Sequence, residues 1–252
     1  MKYITFTNKG SLDICKNMLL SARNVGIEED ITVYTLDEFS NDGLSDFKCE
    51  LKSFDSYISE EYHSYGSKEF KSLMTTKVKI ILEELKSRYN FVYTDCDVVF
   101  KHNPEEVLKI ADDITSKEYN INVIFSNDSL VFESHGGPNE LCAGFMNIKN
   151  IEGTKEFFTK IYELARIAIN DSNPDTCDQI IMRNVLGNNL IPNFNFALYP
   201  CSFVTNGHHY FSQETTTGNE CVVHCNFRLG THDKINSMKK AGIWYLPEKV
   251  EV

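Results

Sequence analysis

Nowhere do the 252 residues contain the run of about 18 apolar residues that a membrane-spanning helix needs. The opening stretch, MKYITFTNKGSLDIC, reads as strand, turn and helix start, without the apolar core and small-residue cleavage site of a secretion signal. Both absences predict a soluble, cytoplasmic polypeptide with no membrane span. Cys-x-x-Cys pairs are missing too; Cys221-x3-Cys225 stands alone, which excludes a zinc-thiolate cage. The eight cysteines, with Cys96, Cys142, Cys177, Cys221 and Cys225 inside apolar segments, are expected to be reduced and buried. Basic residues are in short supply, 25 against 36 acidic ones, and the net charge of −11 excludes the broad basic face of a nucleic-acid binder. An anionic substrate would need a bound cation or a few well-placed lysines. No repeat, low-complexity tract or compositional shift marks a linker, so one domain is expected over residues 1–252.

What is present alternates in period. Tyr3-Ile4-Thr5-Phe6-Thr7 is a β-rich run stopped by Asn8-Lys9-Gly10, and Ser11 opens a helical pattern to Asn24. Further strands are expected at 31–34, 91–94, 122–125, 143–148 and 221–224, and further helices at 73–88, near 104–111, at 154–169 and at 175–186. Residues 37–72 are polar and the least periodic. Strands alternating with helices imply an α/β domain, with a central, largely parallel sheet flanked by helices.

In open α/β sheets ligands bind beyond the carboxyl ends of the strands. Polar residues stand at several such ends: Thr7-Asn8, Asp95 and Asp97, Ser126-Asn127-Asp128, and His224. In YTDCDVVF two carboxylates at i and i+2 follow a buried strand and can be aimed to one side. Such a pair repels itself unless a cation lies between the two charges. Oxygen ligands suit Mn²⁺ or Mg²⁺, and a histidine joining them favours Mn²⁺. Asp-x-Asp alone also serves as a turn, and His224 alone as an ordinary strand-end histidine. The flanking helix, FVYT and VVFKHNP give the pair its weight.

On these segments, together with LCAGFMNIKN, TCDQIIMRNVL and VVHCNFRLGTHDK, the chain resembles the GT-A fold glycosyltransferases of the nucleotide-diphospho-sugar transferase type. These are also similar to glycogenin-like and bacterial galactosyltransferase-like enzymes. The resemblance implies a Rossmann-like GT-A domain whose first part, about 1–100, binds nucleotide and whose remainder, about 101–252, meets donor sugar and acceptor. It makes Asp95, Asp97 and His224 ligands of Mn²⁺ on the diphosphate of a nucleotide sugar, with uridine favoured. Thr7 and Asn8 would hold base or ribose, and Lys77 would lie near the nucleotide, with Lys71 and Lys79 as competitors. Gly144 would let donor sugar or acceptor approach the backbone, or else mark a bulge. Asp178 and Gln179 would face the sugar as catalytic residues; the bland alternative makes Asp178 a solvated first-turn acid. His224-x5-Gly230-x3-Lys234 looks like a stretched form of the family's His-Gly-Lys segment, in which Gly230 and Lys234 meet the phosphates. The activity implied is metal-dependent sugar transfer to a hydroxyl of a glycan or glycoconjugate, with retention.

Two other readings compete. A haloacid-dehalogenase-like phosphatase also uses Asp-x-Asp after a buried strand, but on the first strand of its core, and it leaves VVHCNFRLG without a role. A catalytically idle sugar- or metal-binding module of the same fold is the other, and intact Asp95, Asp97, His224 and Lys234 speak against such decay.

Overall fold

The computed structural model describes residues 1–55, 61–114, 119–134, 136–212 and 218–247. The first four strands form a three-fold strand-helix progression. They are β1 (Lys2–Thr7), β2 (Ile31–Thr35), β3 (Glu50–Ser53) and β4 (Phe91–Thr94), joined by helices α1 (Leu12–Val25), α2 (Glu38–Gly43) and α3 (Lys68–Glu84). Next come β5 (Val98–Phe100), α4 (Glu105–Ile114), β6 (Val123–Asn127), β7 (Leu141–Ile148) and α5 (Glu152–Ala168). Helix α6 (Asp178–Gly187), β8 (Phe196–Leu198), β9 (Val204–Asn206), α7 (Gly207–Ser212), β10 (Val222–His224) and α8 (Gly230–Lys240) complete the order.

Among the described residues seven strands form one sheet in the order β3-β2-β1-β4-β7-β6-β8. All neighbours pair in parallel except β7, which runs antiparallel to both β4 and β6. The expected mixed, largely parallel α/β sheet is thus the observed one. Its order reverses between β1 and β4, the switch point at which such sheets open a crevice for a ligand.

Period-two alternation places apolar side chains on both faces. Ile4, Phe6, Tyr93 and Phe125 pack with Val78 and Ile81 of α3, Phe157 and Ile161 of α5 and Ile181 of α6. Tyr3, Val33, Val92 and Phe145 turn the other way, onto Cys15, Met18 and Leu19 of α1 and onto Val98, Val204 and Val222. Those last three belong to a second, three-stranded sheet of order β5-β10-β9.

Helix α3 starts five residues before the periodicity suggests, because the Ser67 hydroxyl caps it by accepting from the Phe70 amide at 3.0 Å. Helix α6 starts three residues later than expected, since the side chains of Asp171 and Asn173 take up the amides of Asn173 and Asp175 in successive turns. β3, in the aperiodic 37–72 stretch, and the short β8 and β9 carry too few residues for a readable alternation. All eight cysteines are free, and seven are buried.

Candidate active site and metal centre

Two strand pairings assemble the site. The Asp95 amide donates to the Gly144 carbonyl at 2.7 Å and prolongs the β4–β7 ladder by one step. Because β7 is reversed, its first residues lie beside the last residues of β4. The chain then leaves the main sheet, and β5 pairs antiparallel with β10, setting His224 opposite Val98. The Cys225 amide donates to the Asp97 carbonyl at 2.9 Å and closes that end.

Asp95, Asp97 and His224 consequently converge, their ligand atoms within 4.8 Å of one another. Nε2 of His224 lies 3.3 Å from Oδ1 of Asp97 and 3.7 Å from Oδ2 of Asp95. From α8, Nζ of Lys234 reaches Oδ2 of Asp97 at 2.5 Å. Burial alone would push the Asp97 carboxyl up, yet Lys234 and His224 hold it far below the ordinary carboxylate range. Burial alone would lower the His224 imidazole, but Cys142 and Asp97 against it raise it well above its usual value. The donor set fits a divalent cation: two carboxylates and one imidazole, two of the three residues buried, at a point where positive charge is already drawn in.

Lys77 is the lysine of α3 that enters this site. Its ammonium, 2 % exposed, lies 2.8 Å from Oδ2 of Asp178, 3.5 Å from Oδ1 of Asp95 and 5.1 Å above the Tyr93 ring. Burial alone would lower it, and the Asp178 and Asp95 carboxylates raise it above the ordinary lysine value. Its competitors face elsewhere. Lys71 donates to the carbonyls of Asp171 and Asn173 at 2.7 and 2.6 Å, and Lys79 lies over the Phe54 ring. Asp178 is buried at the start of α6, so the alternative of a solvated first-turn acid is corrected: the Lys77 ion pair draws it inward.

Gln179 is engaged with protein groups, its Oε1 accepting from the Ala143 amide and its Nε2 donating to Asp128, both at 3.1 Å. Asp128 also accepts from Asn226 at 2.6 Å and from Arg183 at 3.4 Å. This network joins the ends of β6, α6 and β10. Sequence reasoning marked Asp128 only as strand-end polarity and passed over Arg183 and Asn226, whose sole signal was proximity to TCDQ and VVHC.

A side-chain carbon added at Gly144 would fall on the His224 ring. The group that approaches this bare backbone is therefore the protein's own imidazole. Gly230 adopts φ +80° at the start of α8, a conformation that glycine reaches without strain, with open space around it. It turns the chain so that Lys234, one helical turn on, faces Asp97. Thr7 and Asn8 do lie at the switch point, but their side chains are buried: Thr7 contacts the Ser11 hydroxyl at 3.0 Å, and Asn8 donates to the Glu61 carbonyl at 3.0 Å.

The sequence and the fold are similar to those of known proteins. The chain is 23% identical to the UDP-galactose:fucoside alpha-3-galactosyltransferase of Dictyostelium discoideum over 291 residues, covering 97% of this chain and 43% of that protein. It is 22% identical to the UDP-D-xylose:L-fucose alpha-1,3-D-xylosyltransferase MGP4 of Arabidopsis thaliana over 200 residues, covering 75% and 54%. The chain thus spans about half the length of the curated relatives it matches. Its fold is similar to that of the galactosyltransferase LgtC, solved with donor and acceptor sugar analogs, at a TM-score of 0.59 and 12% identity over 98% of both chains. A glycosyltransferase involved in the glycosylation of the major capsid of PBCV-1 matches at 0.56 and 12% identity, over 96% of this chain and 98% of that one. The profile of the family described as "Nucleotide-diphospho-sugar transferase" matches residues 27–238, and with this extent of agreement the chain belongs to the nucleotide-diphospho-sugar transferase family.

Proposed function

We propose that this chain transfers a glycosyl group from a uridine-diphosphate sugar to a hydroxyl of a glycan acceptor, using Mn²⁺ held by Asp95, Asp97 and His224. One observation carries the reading: two carboxylates, an imidazole and two lysines meet at the carboxyl ends of β4 and β10, beside the switch point of the sheet. Both relatives described above are named for UDP-sugar donors and for fucose or a fucoside as acceptor, which supports UDP and a fucose-bearing glycan here. Both names also specify alpha products. The sugar phosphate bond of UDP-galactose and UDP-xylose is itself α, so such transfer retains configuration.

A divalent ion bound here supplies Lewis-acid stabilisation of the charge on the departing diphosphate. Lys234 adds a donor to the same phosphates, exchanging its contact with Asp97 for one with the leaving group. Asp178, held by Lys77, faces the anomeric centre and stabilises the positive charge that develops there. Gln179 and Asp128 hold the start of β7 and the turn after β10 in register around it. The phosphatase alternative gains no support from the family match, and its nucleophilic aspartate would sit on the first core strand, whereas Asp95 follows the fourth.

Release of UDP from UDP-galactose or UDP-xylose tests the reading, since slow transfer to water needs no acceptor. Mn²⁺-dependent release abolished by chelation is expected; no release from any nucleotide sugar and no UDP binding would overturn it.

A further inference from the structure

Both ring nitrogens of His224 are engaged, on opposite sides. Nε2 faces the two carboxylates, while Nδ1 lies 3.4 Å from Sγ of Cys142, at the start of β7 and 2 % exposed. The Asn226 side-chain amide approaches the same sulfur at 3.8 Å. An amide N–H only donates, so the sulfur already serves as an acceptor on that side. The ring lies against Gly144, where any side chain would displace it.

An imidazole that ligates a cation through Nε2 gives that nitrogen's lone pair to the ion and keeps its proton on Nδ1. A proton held there would face the Cys142 sulfur, 3.4 Å from Nδ1. We infer that Cys142 is the positioning residue of the metal-ligating histidine: its sulfur accepts the Nδ1–H of His224 and fixes the tautomer and ring plane that present Nε2 to the cation. This rests on the reading of Asp95, Asp97 and His224 as the metal site. Carboxylates and carbonyls commonly take this place. A thiol is a weaker acceptor than either, so the role assigned to Cys142 is to orient the ring.

Two substitutions distinguish a hydrogen-bond acceptor at position 142 from a residue that merely fills space. Valine fills the volume without accepting, whereas serine accepts in a smaller volume. Mn²⁺ affinity, measured by electron paramagnetic resonance of the free ion with UDP present, is expected to fall about 10–100-fold in Cys142→Val and to stay near wild type in Cys142→Ser. A packing role predicts the reverse order. Melting temperatures confirm that each variant is folded. Should both variants misfold, the wild-type protein still decides: ¹⁵N chemical shifts of the His224 ring with Mg²⁺ and UDP are expected to report Nδ1–H. Mn²⁺ binding by Cys142→Val equal to wild type, or an Nε2–H ring, would overturn the assignment of Cys142 and leave the metal site standing. Failure of the wild-type protein to bind Mn²⁺ would remove the metal site and this assignment together.

Discussion

Lys234 and Asp97, 137 residues apart in the chain, meet at 2.5 Å, and the same carboxylate receives His224 on its other oxygen. One acidic side chain is thus shared between the residue expected to meet the diphosphate and the residue expected to hold the cation.

Lys234→Met is accordingly expected to act in opposite directions on two ligands. It frees Asp97, so Mn²⁺ affinity without nucleotide should hold or rise. UDP affinity in the presence of Mn²⁺ should fall about 10- to 100-fold, the worth of a charged hydrogen bond of about 1.5–3 kcal/mol. Calorimetric titration of both ligands checks this, and unchanged UDP affinity would detach Lys234 from the phosphates.

Asp97→Asn removes a charged ligand and leaves Lys234 without its partner. The Mn²⁺ concentration for half-maximal UDP release should rise by more than about tenfold, because even outer-shell partners of metal ligands change affinity 10–100-fold. His224→Ala should show a weaker effect of the same sign. Either variant with wild-type Mn²⁺ dependence would lose its assignment as a ligand.

Asp178→Asn is expected to separate binding from turnover: UDP and Mn²⁺ affinity near wild type, and donor hydrolysis reduced about 100- to 1000-fold, as for a single oxyanion-hole donor. The structure adds a second effect. Breaking the buried Lys77–Asp178 pair, with both side chains under 5 % exposed, should cost roughly 3 kcal/mol, or about 6–12 °C in Tm. Normal hydrolysis in a folded variant would return Asp178 to a purely structural role.

Gly144→Ala places a methyl group on the His224 ring, so Mn²⁺ binding should be lost before the fold is. Overpacking of this kind costs about 1–3 kcal/mol. A melting curve and a Mn²⁺ titration on the same sample distinguish this from wholesale unfolding; wild-type Mn²⁺ affinity would show that the ring can retreat without consequence.

Away from the site, Glu84 is 5 % exposed and receives the Tyr34 hydroxyl, Lys52 at 2.9 Å and Lys2 at 3.4 Å. Burial alone would raise its carboxyl, but the Tyr34 and Lys52 hydrogen bonds and the two ammonium charges hold it below the ordinary value. A carboxylate depressed on folding stabilises above its unfolded pKa, near 4.3, and loses that contribution as pH falls through the folded value. Glu84→Gln should therefore be less stable than wild type near neutral pH, with the gap closing below about pH 4. A constant gap in Tm across that range would refute the assignment.

Local chemistry settled part of this protein in advance. A β-rich run ending in polar residues, helices of period 3.6 and a carboxylate pair after a buried strand are all written in neighbouring residues, so the α/β class and Asp95 and Asp97 as candidate ligands were legible in the sequence. Which lysine of α3 enters the site was not fixed by spacing or periodicity: the resemblance pointed to Lys77 with Lys71 and Lys79 as competitors, and what separates the three is what other segments bring to them. The reversal of β7, the second sheet around β10, the His224 ring against Gly144 and the contact of Cys142 with Nδ1 depend on pairings from 51 to 126 residues apart. No periodicity records such pairings. They follow from which strands can bury their faces together, and only the folded chain decides that.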